Sequence, residues 1–232
     1  MYEKLADIYD AMYHFKDYRK ESPKVVQSIR GIKPDARTLL EVACGTGLYL
    51  EQLQQEFHVE GLDLSPQMLD RARTRLPDVA LHQGDMANFD LGRQFDVVCI
   101  LFRSIAFAGT KERFCAAIAS MARHVEPGGV LMVEPYFTPQ SYWVDRVTLN
   151  EYKSDDLKIA WMYVSEKVGL IGRQDVHCLV GTPKGVNHFT ELHELGLFDR
   201  DDYEQAFASA GLQLHYEAEG PSGTGLYMGL KA

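Results

Sequence analysis

The sequence predicts a doubly wound α/β domain, and three observations carry that prediction. Short apolar runs alternate with helical patterns from residue 39 onward, as parallel strands joined by crossover helices require. The first run, Leu39 to Val42, breaks into Ala43-Cys44-Gly45-Thr46-Gly47 and then Leu48-Tyr49-Leu50, which reads as strand, glycine turn and helix. A later run, Phe95 to Leu101, is apolar enough for a central strand buried on both faces.

The elements follow in order. Residues 3 to 30 carry helical patterns interrupted near Phe15-Lys16-Asp17 and at Pro23. Leu39 to Val42 is the first strand and Tyr49 to Phe57 the first crossover helix. His58 to Leu62 is the second strand. Pro66 to Arg75 is a helix with Ser65 as its cap and Pro66 in its first turn. Val79 to Gln83 and Phe95 to Leu101 are the third and fourth strands. Lys111 to His124 is a helix ended by Pro127-Gly128-Gly129, and Val130 to Glu134 is the fifth strand. After Pro135 the pattern changes. Ile159 to Val180 and His188 to Phe198 suit hairpin strands better than another crossover unit. Asp199 caps a helix over Asp202 to Ala210, and Leu212 to Glu217 and Leu226 to Leu230 close the sheet. The expectation is one Rossmann-like domain over 1–232. It has an N-terminal helical lid over 1–30 and an antiparallel insertion over 137–195.

Charge narrows the partners. The chain has 24 Lys and Arg against 33 Asp and Glu, a net charge of −9. Such a balance argues against nucleic acid and against an anionic membrane surface, both of which need a basic face. No run approaches the ~20 apolar residues of a membrane span, and the N-terminus carries no signal pattern. Cys44, Cys99, Cys115 and Cys178 are widely spaced and form no Cys-x-x-Cys, so neither a metal site nor a disulfide framework is expected. A cytoplasmic location follows as the expectation.

Ligands of open α/β sheets bind beyond the carboxyl ends of the strands. Several groups converge there. Gly45 and Gly47, with Ala43 before them, let the backbone approach a ligand closely. A dinucleotide fingerprint would carry a third glycine at position 50, where this chain has Leu50. Glu41 stands four residues before Gly45. Asp63 ends the second strand, sixteen residues past Gly47, and a carboxylate there can accept both hydroxyls of a ribose. Leu64 and Met68 adjoin it. Asp85 and Met86 follow the third strand, the first suited to an adenine amino group and the second to packing on the ring. Leu101 and Phe102 end the fourth strand and can cover a methionine portion. Together these positions point to S-adenosyl-L-methionine. Its sulfonium is a cation that favours oxygen or π density, which Tyr9, Tyr13 and Tyr18 can supply from the lid.

The glycine turn resembles that of class I methyltransferases, whose sheet has seven strands. Further strings sharpen the likeness: Leu76-Pro-Asp-Val-Ala-Leu-His-Gln-Gly-Asp-Met86, Glu126-Pro-Gly-Gly-Val130, Val133-Glu-Pro135, Lys184-Gly-Val-Asn-His-Phe189 and Gly220-Pro-Ser-Gly-Thr-Gly-Leu226. They are similar to bacterial N,N-dimethyltransferases of nucleotide-linked amino sugars of the desosamine and mycaminose type. The likeness runs from Met1 to Ala232. It implies methyl transfer to a sugar amine in natural-product biosynthesis by a dimeric enzyme. It also implies cofactor contacts at Ala43, Asp63, Asp85, Met86 and Leu101, with Tyr13 facing the substrate. Tyr136 to Trp143 would form the substrate wall with His177 and His188.

Two positions depart from the family, which has Arg where this chain has Asn187 and Thr224. Arginine suits a diphosphate through bidentate charged hydrogen bonds. Arg103 and Lys153 are cations that could compensate, or could select another anion. The departures therefore keep an O- or N-methyltransferase of another small metabolite in view, beside a cofactor-binding subunit without turnover. The remaining substrate-side candidates are Tyr9 and Glu134. A free amine needs no base to attack a sulfonium methyl, so catalysis by alignment is expected, with Tyr13 orienting the nitrogen.

Overall fold

The computed structural model describes residues 6–232, so the first five residues of the expected lid lie outside the described residues. In chain order, α1 (Tyr9–Met12) and α2 (Tyr18–Ile32) precede β1 (Thr38–Val42), α3 (Leu48–Leu53), β2 (His58–Asp63), α4 (Pro66–Arg75), β3 (Ala80–Gln83) and β4 (Phe95–Ile100). A short 3-10 helix (Ser104–Ala108), α5 (Lys111–Arg123) and β5 (Val125–Val133) follow. Then come β6 (Val147–Lys153), β7 (Lys158–Val168), β8 (Ile171–Thr182) and β9 (Gly185–Gly196). The chain closes with α6 (Arg200–Ser209), β10 (Leu212–Glu217) and β11 (Leu226–Lys231).

Seven strands form one sheet in the order β10-β11-β5-β4-β1-β2-β3. Strands β1 to β5 run parallel, and β11 pairs antiparallel with both β5 and β10. The alternation of side chains along each strand builds two cores. Leu40, Val98 and Leu131 pack with Phe114, Ile118 and Phe207 on one face. Their neighbours Leu39, Val97 and Val130 pack with Ile29, Leu50 and Leu53 on the other. All six residues of β4 are buried, as its composition predicted. Burying each large aliphatic side chain stabilises the fold by roughly 1.5–3 kcal/mol, so the two cores hold the strand ends in fixed relation.

The predicted caps form. Ser65 Oγ accepts from the Met68 amide at 3.3 Å, and Asp199 and Asp202 make a reciprocal capping box. Several boundaries differ from expectation, among them the end of α3, at Leu53 rather than Phe57. Helix α2 runs through Pro23, because Val25 and Ile29 are fully buried against the sheet and hold the helix despite one missing N–H donor. Strand β5 begins at Val125 rather than Val130, extended by pairing between Phe95 and Val125 before a register shift.

The insertion is an antiparallel sheet in the order β6-β7-β8-β9. Its first strand, β6, lies ahead of the stretch the sequence marked. The inner face presents Ile159, Trp161, Val176 and Cys178 to Ile8 and Met12 near α1. The outer face exposes Val147, Leu149, Met162, Val164 and Leu179. Among the described residues, no helix is long and apolar enough to cross a membrane.

Candidate functional site

The carboxyl ends of β1, β2 and β4 meet at the glycine turn. Ala43, Gly45 and Gly47 all adopt left-handed backbone, with φ of 57°, 56° and 81°. A Cβ on Gly47 would stand 3.0 Å from Leu76 Cδ1, so the turn is tight in conformation and in space. Asp63 fixes it. One carboxylate oxygen accepts from the Gly45 amide at 2.8 Å and the other from the Ser65 amide at 2.8 Å. Burial nevertheless pushes the Asp63 carboxyl above its ordinary pKa, these N–H donors acting in the opposite sense.

A cleft of about 30 Å³ opens beside this turn. Of the residues marked from sequence, Tyr9, Tyr18, Ala43, Gly45, Leu101 and Phe102 line it. Sequence reasoning did not mark Tyr49 and Thr46, which line it too, and it used Glu41 only as a motif feature. Glu41 is 3% exposed, and its Oε2 has no hydrogen-bond partner. Burial, then the Asp63 charge, raises its pKa well above the usual carboxylate range.

Against three of the rings that line the cleft lies a cation from the chain itself. Lys16 Nζ lies 4.2 Å from the Phe102 ring centroid, 5.1 Å from that of Tyr49 and 5.4 Å from that of Tyr18. It also pairs with Glu21, whose carboxylate accepts the Tyr49 hydroxyl. Rings and carboxylates around one ammonium make a cage suited to positive charge. Asp10 ties α1 to the glycine turn, accepting from Thr46 Oγ1 at 2.6 Å and pairing with Arg75 at 2.5 Å.

The remaining cofactor candidates stand around β2 and β3, outside the lining of this cleft. Leu64 is 59% exposed beside Asp63, while Met68 is on the buried face of α4. Met86 packs against the core under α5. Asp85 accepts from the Ala87 amide at 2.9 Å and grips Arg113 with both oxygens at 3.0 and 2.9 Å. Burial pushes its pKa up, but these donors outweigh it and hold the carboxyl below its ordinary value.

Phe102 divides the site. Tyr13 meets its ring edge-on at 5.2 Å and lies 4.7 Å from the Tyr9 ring. Some of Tyr13 is exposed, but its hydroxyl is enclosed, and burial, reinforced by Tyr163, Cys178 and Glu191, pushes the phenol pKa well up. The group is therefore protonated at any physiological pH. Beyond Phe102, burial raises the Tyr136 pKa and the Arg103 charge opposes that rise, while the Tyr136 hydroxyl accepts from Gln174 Nε2 at 3.4 Å. Tyr136 and Trp143 both pack on Phe137, with ring centroids 4.9 and 6.2 Å away.

Four substrate-side expectations need correction. Glu134 is fully buried and engaged by its own chain: it accepts from the Phe102 amide at 2.7 Å, from Thr224 Oγ1 at 3.1 Å and from Ser222 Oγ. It anchors two loops and lines no wall. Lys153 pairs with Glu151 at 2.6 Å, both side chains being mostly exposed on β6. His177 and His188 stack on each other, 5.5 Å between centroids, on the outer face of the insertion. Strand parity decides this, since Val176 and Cys178 on either side of His177 point inward. His193 is the histidine on the inward face, buried and 5.8 Å edge-on from Phe107, and sequence reasoning passed over it. Its alternation with exposed Leu192 and Glu194 was the available signal.

A larger depression of about 440 Å³ lies at the opposite end of the sheet, lined by Arg30, Arg37 and His58 among others. Arg30 is engaged there with the Pro34 and Ala36 carbonyls. The amino ends of parallel strands are not where ligands of such sheets bind.

Comparison with known proteins is consistent with this geometry. A methyltransferase domain family matches residues 39–129, the segment that carries the glycine turn, Asp63 and Asp85. A Streptomyces venezuelae protein described as a dTDP-3-amino-3,4,6-trideoxy-alpha-D-glucopyranose N,N-dimethyltransferase is 44% identical over 231 residues, covering 98% of each chain. The crystal structure of Streptomyces venezuelae DesVI superimposes with a TM-score of 0.92, at 44% identity and 98% coverage of both chains. SAM-bound CalS10, an amino pentose methyltransferase from Micromonospora echinaspora involved in calicheamicin biosynthesis, gives 0.88 at 39% identity, with 97% of each chain covered.

Proposed function

Because the chain belongs to the family of N,N-dimethyltransferases of nucleotide-linked amino sugars, we propose that it methylates the amine of a dTDP-linked amino sugar, with S-adenosylmethionine as cofactor. The observation that carries the cofactor assignment is the cage of Tyr18, Tyr49 and Phe102, with the partnerless oxygen of buried Glu41 below it. When bound, the cofactor supplies an electrophilic methyl group on a sulfonium.

The residues fit that group. A carboxylate offers about four lone-pair sites, so Asp63 can hold Gly45 and Ser65 and still accept from ribose hydroxyls. The backbone at Ala43, Gly45 and Gly47 takes the methionine end, under Leu101 and Phe102. Leu64, Met68, Asp85 and Met86 form the adenine end. Ligand pockets enclose roughly 300–1,000 Å³, far above the present cleft of about 30 Å³, so the segment from Tyr9 to Tyr18 acts as a lid that swings. Lys16 leaves the cage in that motion.

On the acceptor side, Tyr13 orients the amine. Its neutral phenol oxygen accepts an amine N–H, which leaves the nitrogen lone pair free to face the methyl. Alignment of this kind is worth up to ~7–11 kcal/mol, and enclosure by Tyr13, Phe102 and Tyr136 lowers an ammonium pKa toward the reactive free base. Trp143 and His193 complete the acceptor chamber.

Two further features belong to this reading. The exposed apolar outer face of the insertion supports a homodimer, since contiguous apolar surface of this kind marks interfaces. A monomeric mass in sedimentation at micromolar concentration would remove the dimer. The four unpaired cysteines suit a reducing cytoplasm.

The experiment is methyl transfer from S-adenosylmethionine to dTDP-linked 3-amino and 4-amino sugars, run beside the matching free amines and read by product mass. Mono- and dimethylated nucleotide sugars are expected. Methylation of an unrelated amine or hydroxyl, with none on any nucleotide-linked sugar, would overturn the acceptor assignment.

A further inference from the structure

The Arg103 side chain has no hydrogen bond or ion pair among the described residues, although its Nε is buried. A buried donor left without a partner costs about 1–3 kcal/mol, a cost that a bound anion would remove. Its backbone is also unusual. Phe102 and Arg103 are consecutive non-glycine residues in the left-handed region, with φ of 52° and 62°, each costing roughly 1–2 kcal/mol. The conformation is held from outside: Glu134 accepts the Phe102 amide at 2.7 Å, and the Ser104 amide donates to Leu101 O at 3.2 Å. Strain that the surroundings impose on one residue pair is a device for aiming a side chain.

The aim is toward the acceptor. Phe102 turns its ring to the cation cage, and the charge of the next residue, Arg103, opposes the burial that raises the Tyr136 pKa. Tyr136 accepts its hydrogen bond from Gln174 on the inner face of β8, so its own proton is free to donate. The Arg103 side chain and the Tyr136 hydroxyl proton thus both lack acceptors among the described residues. Lys153, the other cation available to a bound anion from sequence, is held by Glu151 away from this corner.

We infer that Arg103 and Tyr136 form an anion subsite that receives a phosphate oxygen of the acceptor's nucleotide diphosphate. Arg103 thereby sets the enzyme's preference for carrier-linked over free amino sugars. The inference rests on the proposed acceptor and specifies which residues read it. The guanidinium supplies paired N–H donors to the phosphate and the Tyr136 hydroxyl a third.

The test uses the whole enzyme saturated with S-adenosylhomocysteine and dTDP as the probe, with binding measured by calorimetry. Arg103→Gln should weaken dTDP at least tenfold. Arg103→Lys should lose less, because it keeps the charge and gives up the fork. Tyr136→Phe should lose two- to fivefold. With a dTDP-linked amino sugar, Arg103→Gln should raise KM at least tenfold while kcat falls less than threefold. S-adenosylmethionine affinity serves as the check that the variants fold. A dTDP affinity for Arg103→Gln within twofold of the parent would overturn the inference. So would an equal loss of kcat/KM on free and nucleotide-linked acceptors, which would show that Arg103 does not act through the diphosphate. If the parent enzyme neither binds dTDP nor methylates any nucleotide-linked sugar, the acceptor assignment itself fails. Failure confined to the variants removes only the subsite.

Discussion

On the cofactor side of Phe102 nearly every polar group is already held by the chain, whereas on the acceptor side several stand open. Asp63 grips two backbone amides, Asp85 grips Arg113 and the Ala87 amide, and Asp10 bridges Thr46 and Arg75. Across the ring, Arg103 Nε and the proton of the Tyr136 hydroxyl have nothing to bind. The first half is preorganised for a single ligand: apart from Glu41, whose Oε2 has no partner, its carboxylates are fixed before that ligand arrives, and spare lone pairs do the recognition. The second half leaves its donors for the acceptor to satisfy. A site built in this way holds its cofactor by geometry and selects its acceptor by charge.

The strongest way to break the contrast is to loosen the preorganised half. Asp63→Ala removes the acceptor of both the Gly45 and Ser65 amides, and with it the geometry of the turn. A hydrogen bond to a charged group is worth roughly 1.5–3 kcal/mol, so the Kd for S-adenosylmethionine should rise tenfold or more by calorimetry. An affinity within threefold of the parent would mean that the glycine turn holds itself and that Asp63 touches no ribose.

How far each half was legible follows from the same difference. Asp63, the Ser65 cap and the burial of β4 announce themselves locally, through a strand end, a cap before Pro66 and an uninterrupted apolar run. The acceptor half depends on register. A strand shifted by one residue exchanges its faces, and that parity sent His177 and His188 outward while bringing His193 inward. Strand β6 escaped notice because its large aliphatics, Val147 and Leu149, face outward and blur the alternation. Glu134 appeared available because its partners, Ser222 and Thr224, lie some ninety residues away in sequence. No local signal discloses such a bond.

Tyr13→Phe probes the boundary between the halves. The edge-on contact with Phe102 and the tilted contact with Tyr9 survive, so S-adenosylmethionine affinity should stay within twofold. Loss of the phenol oxygen should lower kcat on the amino-sugar acceptor by about five- to twentyfold, as expected for one orienting hydrogen bond of roughly 1–1.5 kcal/mol or a little more. A kcat within twofold of the parent would take Tyr13 out of the mechanism and leave enclosure alone to position the amine.

Lys16→Met sharpens the comparison from the other direction, because Lys16 is the one group in the cofactor half whose place a ligand must take. Methionine keeps an apolar stem against Phe102, Tyr18 and Tyr49 but brings no charge into the cage. A cation over aromatic rings is worth about 0.5–2 kcal/mol, and the parent must surrender that contact before a sulfonium can enter. The variant should therefore bind S-adenosylmethionine about three- to tenfold more tightly, with a smaller gain for the uncharged thioether of S-adenosylhomocysteine. Weaker binding of both by a similar factor would reverse the assignment. It would mean that the ammonium stays in the closed site and pairs with the carboxylate that the two ligands share, so that the lid supplies a ligand instead of withdrawing one.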